Sequence, residues 1–286
     1  MGKLALGTVQ FGLEYGIANK TGRPSETEIS KILSTADRGG INLLDTAAEY
    51  GACERILGAT AGIHFDIVTK VGKIDEIGGR NLRDLFLSSL RRLNRSSIYG
   101  LLLHTPQQLI GNKQLSERLL YCLQALKDEG LVQKIGVSIY SPVELEQVLE
   151  IFIPDIVQFP ISAIDGRWKK SGLLGEMKTL GIERHARSVF LQGLLGLDAN
   201  EHPDWCLKYS SFLSEWRGFC IENNMCLLEA ALCAALHNPD LDKVLVGVEK
   251  LTQLEDLLKW SASPGINIPD YFLSLEDKIL DVRKWG

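Results

Sequence analysis

The sequence predicts a single-domain (β/α)8 barrel over residues 1–286, and three observations support this fold class. Eight short apolar runs recur along the chain, the stretches between them show helical spacing of apolar residues, and no linker interrupts the series. A doubly wound open sheet is the competing fold, but it usually needs fewer strands and often carries a glycine fingerprint. The chain contains neither G-x-G-x-x-G nor G-x-x-x-x-G-K, so the closed barrel is favoured.

The predicted strands are apolar runs bounded by polar or turn-forming residues. In chain order they are Leu4–Thr8, Ile41–Asp45, Phe65–Lys70, Ile98–His104, Lys134–Ser138, Asp155–Phe159, Ile182–Ser188 and Lys243–Val248.

Helices are predicted between the strands. Ser25 and Glu28 have the spacing of a capping box, and Gly39-Gly40 ends the helix that they begin. Ser141-Pro142 begins a later helix, with proline in its first turn. The longest gap, residues 190–242, is expected to hold a loop followed by two helices. Apolar residues with helical spacing give these stretches one buried face: Ile29, Ile32, Leu33 and Ala36; Leu82, Leu85, Phe86, Leu90 and Leu93; Leu115, Leu119, Cys122, Leu123 and Leu126.

Composition and charge exclude several classes of protein. The chain of 286 residues is 45% apolar and 23% charged, which is ordinary for a globular protein with a large core. Its net charge is −5 and its basic residues form only short pairs, so no nucleic-acid partner is expected. No apolar run approaches the length of a membrane span and no signal peptide follows Met1, so we expect a cytoplasmic protein without a membrane partner.

The six cysteines indicate neither a metal site nor a disulfide framework. They form no C-x-x-C pair, and no histidine pair has zinc-ligand spacing. We interpret them as buried small apolar residues in a reducing compartment. The outer helical ring of a barrel needs no partner, so a monomer is expected.

Four polar residues near the ends of consecutive predicted strands are candidates for a proton-transfer site. They are Asp45, Tyr50, Lys70 and His104. Strand ends of a parallel barrel converge on one face, and neighbouring strands lie about 5 Å apart, so these side chains are expected to share a pocket. Lys70 is expected to lower the pKa of the Tyr50 phenol while Asp45 holds the ammonium. His104 is expected to donate a hydrogen bond to a substrate oxygen.

Each of the four has an ordinary structural explanation when it is taken alone. Asp45 is typical of a turn or cap, Tyr50 of a packed aromatic residue, Lys70 of a solvated strand end and His104 of a satisfied core histidine. Their order and their shared location at strand ends favour a site.

The segment from Asp45 to Gly51, followed by Glu54, resembles the signature of the aldo-keto reductases. Lys70 and His104 stand where that family keeps its lysine and histidine, and the similarity extends over nearly the whole chain. The resemblance implies a (β/α)8 barrel that reduces an aldehyde or ketone to an alcohol with NADP(H) or NAD(H), without a metal. It also implies the roles: Tyr50 as general acid, Lys70 and Asp45 as residues that tune it, and His104 as the residue that orients the carbonyl.

The resemblance further implies a set of cofactor contacts: Gly7, Thr8, Ser138, Gln158, Arg187, Ser188, Phe190, Gln192, Gly247, Glu249, Gln253 and Asp256. Two positions depart from the family pattern. Ile139 stands where members commonly have Asn, and Arg187 stands where many have an aromatic residue that stacks on the nicotinamide. A planar guanidinium can also stack, so the effect of Arg187 on nicotinamide binding stays open at this point.

The choice between the two nicotinamide cofactors rests on Glu249 and Gln253. Members that bind a 2′-phosphate tend to have Lys or Arg at the first position and Arg at the second. A carboxylate at position 249 repels a phosphate, although Lys250 next to it could compensate. The sequence therefore favours tolerance of NADH.

The predicted function is reduction of a small carbonyl compound, a sugar or another polar aldehyde being one class. Two alternatives stay open: a regulatory barrel that binds the nicotinamide with little turnover, and an isomerase or lyase that uses no nicotinamide. The sequence does not identify the substrate.

Overall fold

The computed structural model describes residues 2–72, 74, 81–275 and 277–285. Within them the chain forms a closed barrel of eight parallel strands in chain order, as predicted, with β1 paired to both β2 and β8. The strands are β1 Leu4–Gly7, β2 Leu43–Asp45, β3 Asp66–Val71, β4 Ile98–Leu103, β5 Val132–Ser138, β6 Ile156–Pro160, β7 Glu183–Arg187 and β8 Lys243–Gly247. The predicted strands are confirmed, with ends that differ by a residue or two.

Helices surround the barrel. The α-helices are α1 Val9–Gly12, α2 Glu26–Arg38, α3 Cys53–Thr60, α4 Leu82–Leu93, α5 Gln107–Ile110, α6 Lys113–Asp128, α7 Pro142–Leu149, α8 Arg167–Ser171, α9 Leu173–Thr179, α10 Ser210–Glu222, α11 Leu227–Leu236, α12 Leu251–Trp260 and α13 Asp277–Leu280. Short 3-10 helices span Leu191–Gly196, Ala199–Glu201, Asp204–Tyr209, Asp270–Ser274 and Val282–Lys284.

The predicted capping box at the start of α2 is only half formed. The Ser25 side chain accepts from the Glu28 backbone N–H at 3.2 Å, as predicted. The Glu28 carboxylate instead accepts from the backbone N–H of Leu251 at 2.8 Å. It therefore caps the neighbouring helix α12 and ties α2 and α12 together.

A layer of six apolar side chains packs together inside the barrel: Ala5, Leu43, Val68, Leu102, Ile156 and Leu245. Side chains alternate between the two faces of a strand, so the residue two positions further along each strand faces the same interior. Those residues are Gly7, Asp45, Lys70, His104, Gln158 and Gly247. The alternation of the strands thus places six predicted site residues directly above the apolar layer.

The long segment after β7 has its own small core. It contains the two predicted helices, α10 and α11. Trp216 of α10 packs against Phe272 near the end of the chain, with ring centroids 5.7 Å apart. Cys220 and Cys233 are buried here as predicted, but Cys226 is exposed at the start of α11. The expectation of a buried Cys226 is wrong because it precedes the first turn of the helix and does not lie on its apolar face.

Candidate active site

Lys70 and Asp45 form a buried ion pair at the carboxyl ends of β3 and β2. The Lys70 side chain is 1% exposed, and its ammonium donates to the two Asp45 oxygens at 2.9 and 2.7 Å and to the Thr46 carbonyl at 2.9 Å. All three ammonium protons are therefore used. Burial lowers the pKa of Lys70, and the Asp45 charge opposes this effect.

Tyr50 lies on the loop after β2, where two glycines allow the path of its backbone. Gly51 has a φ of 57°, in the left-handed region that favours glycine. A Cβ atom at Gly12 would lie 1.7 Å from the Tyr50 carbonyl oxygen, so only glycine lets α1 approach this closely. The Lys70 nitrogen lies 5.2 Å from the centroid of the Tyr50 ring.

The protonation of Tyr50 differs from the prediction. Burial raises the pKa of its phenol above the ordinary value, and the Asp45 charge raises it further. The Arg187 guanidinium opposes both effects. The expectation of a lowered pKa is wrong, because burial and the Asp45 charge outweigh the positive charge nearby, and the Lys70 ammonium is paired with Asp45. Tyr50 keeps its proton at neutral pH, which is the form that a donor to a carbonyl oxygen requires.

His104 directly follows β4 and packs edge-on against Tyr50, with ring centroids 6.1 Å apart. Its Nδ1 lies 2.7 Å from Glu49 Oε2. The oxygen lies off the line of an N–H bond, so the contact is an ion-pair contact and not an aligned hydrogen bond. Burial lowers the pKa of His104, as does the Lys70 charge, while Glu49 opposes them.

A cavity of about 390 Å³ opens above these residues at the carboxyl face of the barrel. Every residue predicted for the site lines it: Gly7, Thr8, Asp45, Tyr50, Lys70, His104, Ser138, Gln158, Arg187, Ser188, Phe190, Gln192, Gly247, Glu249, Gln253 and Asp256. The structure thus brings the predicted site together, while the role of each residue in it stays a prediction.

Gln158 has the chemistry to hold an amide such as the nicotinamide carboxamide. Its side chain is fully buried, and Nε2 donates to Asp45 Oδ1 at 2.6 Å. Its Oε1 has no hydrogen-bond partner within the described chain, although buried acceptors are normally paired. Ser138, on the neighbouring strand in register with Gln158, adds a hydroxyl to the same wall. A carboxamide N–H matches the free acceptor, so these residues fit the group.

The loop after β7 has a backbone suited to phosphate. Ser188, Leu191 and Gln192 have φ values of 58°, 47° and 54°, and Gly193 has 95°. Non-glycine residues in this region carry strain and cluster at functional sites. Phe190, with φ −101° and ψ 7°, is followed by the left-handed Leu191. A right-handed residue followed by a left-handed one forms a concave nest of N–H groups that binds anions, so the loop fits the pyrophosphate of a dinucleotide.

Comparison with known proteins identifies the family of this site. The family model described as "Aldo/keto reductase family" matches residues 3–271. The chain belongs to that family. It matches no curated protein.

Solved structures of aldo-keto reductases have the same fold. A holo enzyme from Bacillus halodurans is 20% identical with a TM-score of 0.76, and the match covers 98% of this chain and 92% of that one. The glycerol dehydrogenase of Gluconobacter oxydans is 22% identical with a TM-score of 0.70, covering 97% and 91%. A Klebsiella pneumoniae aldo-keto reductase in complex with NADPH is 16% identical with a TM-score of 0.68, covering 92% and 86%. Family members use nicotinamide cofactors, and so the cofactor class is NADP(H) or NAD(H).

The two departures from the family pattern contact each other. The Arg187 guanidinium packs over the Tyr140 ring, 4.1 Å from its centroid, and donates to the Ile139 carbonyl at 3.0 Å. The Ile139 side chain lies in the core between barrel and helices, so it offers this aldo-keto reductase no side-chain contact in the cavity. Its backbone carbonyl instead holds Arg187 against the aromatic wall.

The far end of the cavity is acidic. The Glu249 backbone N–H donates to Gln253 Oε1 at 2.7 Å, and Gln253 Nε2 donates to Glu249 Oε2 at 3.1 Å. Asp256 lines the same end. The Lys250 backbone N–H also donates to Gln253 Oε1, at 3.2 Å. The start of α12 is therefore capped by its own glutamine and presents carboxylates to the cavity.

The loop after α1 contributes a wall of the cavity that was not predicted from the sequence. Tyr15, Gly16, Ala18 and Asn19 line the cavity, and the Tyr15 hydroxyl accepts from Gln192 Nε2 at 3.3 Å. Every loop that follows a barrel strand opens on the carboxyl face, so the length of this loop was the available signal. Gln10 and Tyr140 were missed for lack of any motif.

The described residues contain no group of three or more His, Cys, Asp or Glu side chains arranged to hold a metal ion. Among them, no helix is by itself long and apolar enough to span a membrane, whereas the bent pair Asp204–Glu222 and Leu227–Leu236 reaches the required length and composition together.

Proposed function

We propose that this chain is an NAD(P)H-dependent carbonyl reductase that converts a small aldehyde or ketone to an alcohol, with a polar or sugar-like carbonyl compound as substrate. The observation that carries the proposal is the shared cavity: a protonated phenol at Tyr50, an imidazole at His104 and the free acceptor of Gln158 all line it. A cytoplasmic location and a monomeric state belong to the same proposal.

Each residue has a separate task in the proposed reaction. A bound nicotinamide dinucleotide supplies the hydride. Tyr50 gives its proton to the carbonyl oxygen as negative charge develops there, and His104 orients that oxygen. Arg187 provides the positive charge that favours the phenolate left on Tyr50. Lys70 and Asp45 hold the floor of the pocket as a neutral pair.

A second candidate function is a nicotinamide-binding regulatory barrel with little turnover. The observation in its favour is that Lys70 uses all three protons on Asp45 and Thr46, which leaves the Tyr50 phenol hard to ionise. The third alternative, an isomerase or lyase without nicotinamide, has no observation of this kind in its favour.

The deciding experiment separates binding from turnover. NADH and NADPH are titrated in turn by quenching of tryptophan fluorescence, for which Trp260 in the cavity wall is a reporter. Each cofactor is then offered with a panel of neutral and sugar aldehydes, and oxidation of the reduced nicotinamide is followed. Binding with turnover supports the reductase, binding without turnover across the panel supports the regulatory barrel, and no binding of either cofactor removes both.

A further inference from the structure

Glu49 is an acidic residue at the site that the proposed chemistry does not use. Its Oε2 lies 2.7 Å from His104 Nδ1, and its side chain is 56% exposed at the edge of the pocket. The His104 nitrogen is buried and has no aligned hydrogen-bond partner within the described residues. A buried ring nitrogen needs a partner, and the Glu49 carboxylate is close enough to serve.

Gly72, just after β3 in the same chain, leaves room for this contact. A Cβ atom at Gly72 would lie 2.0 Å from Glu49 Oε1, so the carboxylate occupies the space that a larger residue would fill. Gly72 has no left-handed φ. Alanine there would therefore displace the flexible end of Glu49 without straining the backbone.

We propose that Glu49 is a positioning residue that holds a proton on His104 Nδ1 and so leaves Nε2 as the nitrogen for the reaction. A carboxylate accepts only, and its negative charge 2.7 Å from Nδ1 favours a proton on that nitrogen. In the imidazolium, Nε2 also carries a proton and donates a hydrogen bond to a carbonyl oxygen. In the neutral ring, Nε2 is an acceptor and suits an alcohol hydroxyl. The charge of His104 then decides whether the pocket favours a carbonyl or an alcohol. Because burial and the Lys70 charge lower the pKa of His104, we expect carbonyl reduction to be favoured at acid pH and the reverse oxidation of the alcohol at neutral pH and above.

The groups around His104 oppose one another. Lys70 on β3 and Arg187 on β7 disfavour the imidazolium, as burial does, and Glu49 on the β2–α3 loop favours it. Tyr50, on the same loop, packs against the His104 ring and keeps its proton at neutral pH. Removing the Glu49 charge therefore lowers the pKa of His104.

Histidine NMR tests this without cofactor or substrate. The ring of His104 is assigned by comparison with His104→Gln and titrated in the wild type and in Glu49→Gln. We expect the His104 titration to move down by about one pH unit in the variant, as is typical for loss of an adjacent opposite charge. Gly72→Ala should move it in the same direction by less, while the exposed Glu150→Gln leaves it unchanged.

The kinetic arm rests on the proposed function. In Glu49→Gln the alkaline limb of kcat/KM for carbonyl reduction should move down by the same interval, with the Kd for reduced cofactor within about twofold of wild type. An unchanged His104 titration in both Glu49→Gln and Gly72→Ala overturns the role of Glu49 even if turnover is normal. Absence of turnover in the wild type removes the proposed function and leaves the NMR result to decide the inference.

Discussion

The barrel carries a cluster of charged side chains at each end, and only one of the two clusters lines the cavity. The carboxyl-end cluster consists of Asp45, Tyr50, Lys70 and His104. The amino-end cluster consists of Tyr99, Lys134, Glu183 and His185. In the amino-end cluster Glu183 accepts from the Tyr99 hydroxyl at 2.7 Å, from Lys134 at 2.6 Å and from His185 at 3.2 Å.

The two clusters contain the same types of side chain, and they differ in whether those side chains line the cavity. Each contains a carboxylate, a lysine, a tyrosine and a histidine, and in each the lysine lies about as far from the tyrosine ring, 5.2 Å at Tyr50 and 5.3 Å at Tyr99. No residue of the amino-end cluster lines the cavity. An ion pair with a tyrosine and a histidine beside it therefore does not by itself mark a functional site. The side chains must also face a space that a ligand can enter.

The largest difference is expected between the two tyrosines. Tyr50→Phe should lower kcat/KM for carbonyl reduction by about 10²- to 10⁴-fold, because it removes the proposed proton donor. Tyr99→Phe should leave kcat/KM within about threefold and cost about 1–2 kcal/mol of folding free energy through its lost hydrogen bond to Glu183. Steady-state kinetics and urea unfolding of both variants check this.

The cofactor titration serves as the control for that pair. Tyr50→Phe should bind reduced cofactor almost as tightly as wild type, since the phenol acts on the substrate oxygen. Wild-type turnover in Tyr50→Phe would remove this residue from the mechanism.

The two lysines should differ in what they do to stability. Lys70→Met leaves Asp45 buried without a counter-charge, and loss of one partner from such a pair costs about 3–5 kcal/mol. Lys134→Met should cost about 1 kcal/mol, because the Lys134 side chain is 32% exposed and Glu183 keeps two other donors. Urea denaturation measures both. The double variant Asp45→Asn/Lys70→Met should recover part of the loss, and equal costs in the two single variants would contradict the comparison.

The sequence predicted the fold well because the barrel repeats one local rule. Most of the strands are apolar runs that end in a polar residue, and the period of two turns Asp45, Lys70 and Gln158 towards the barrel interior above the apolar layer. Asp45, Lys70 and His104 could therefore be placed from strand ends alone, whereas the cofactor contacts were predicted from the family resemblance.

The parts that could not be predicted depend on contacts between distant segments. The acidity of Tyr50 was predicted from the mere presence of Lys70, whereas the structure directs the protons of Lys70 to Asp45 and Thr46. Glu49 beside His104 and the contact of Arg187 with Ile139 need side-chain geometry that no spacing encodes. The amino-end cluster has no sequence motif at all.

Acid should act on the amino-end cluster through Glu183. Burial alone would raise the pKa of this carboxyl, but hydrogen bonds from His185, Lys134 and Tyr99 outweigh it and bring the pKa from 4.5 to about 2. Because the pKa of Glu183 is lower in the folded than in the unfolded protein, its carboxylate stabilises the fold above pH 4.5, and that contribution is lost as the pH falls from 4.5 towards 2. The shift corresponds to about 3 kcal/mol, which solvent screening of this partly exposed group reduces to about 1–2 kcal/mol.

Glu183→Gln provides the measurement. Its unfolding free energy should be lower than that of wild type at pH 7, and the gap should narrow between pH 4.5 and pH 2. A gap that stays constant over this interval would show that Glu183 is not the group that titrates.

The smallest expected effect concerns the acidic far end of the cavity. Glu249 and Gln253 hold each other at the start of α12, and Asp256 adds a second carboxylate nearby. We expect NADH to bind more tightly than NADPH, because a 2′-phosphate at this end would meet negative charge. Glu249→Arg/Gln253→Arg should change the ratio of the Kd for NADPH to the Kd for NADH by about tenfold in favour of NADPH, which corresponds to about 1.4 kcal/mol. Glu249→Gln is the matched control, since it keeps the amide contacts and removes only the charge. If NADPH binds more tightly to the wild type and Glu249→Gln leaves the ratio unchanged, the carboxylate does not face the ribose, and the cofactor lies differently in the cavity.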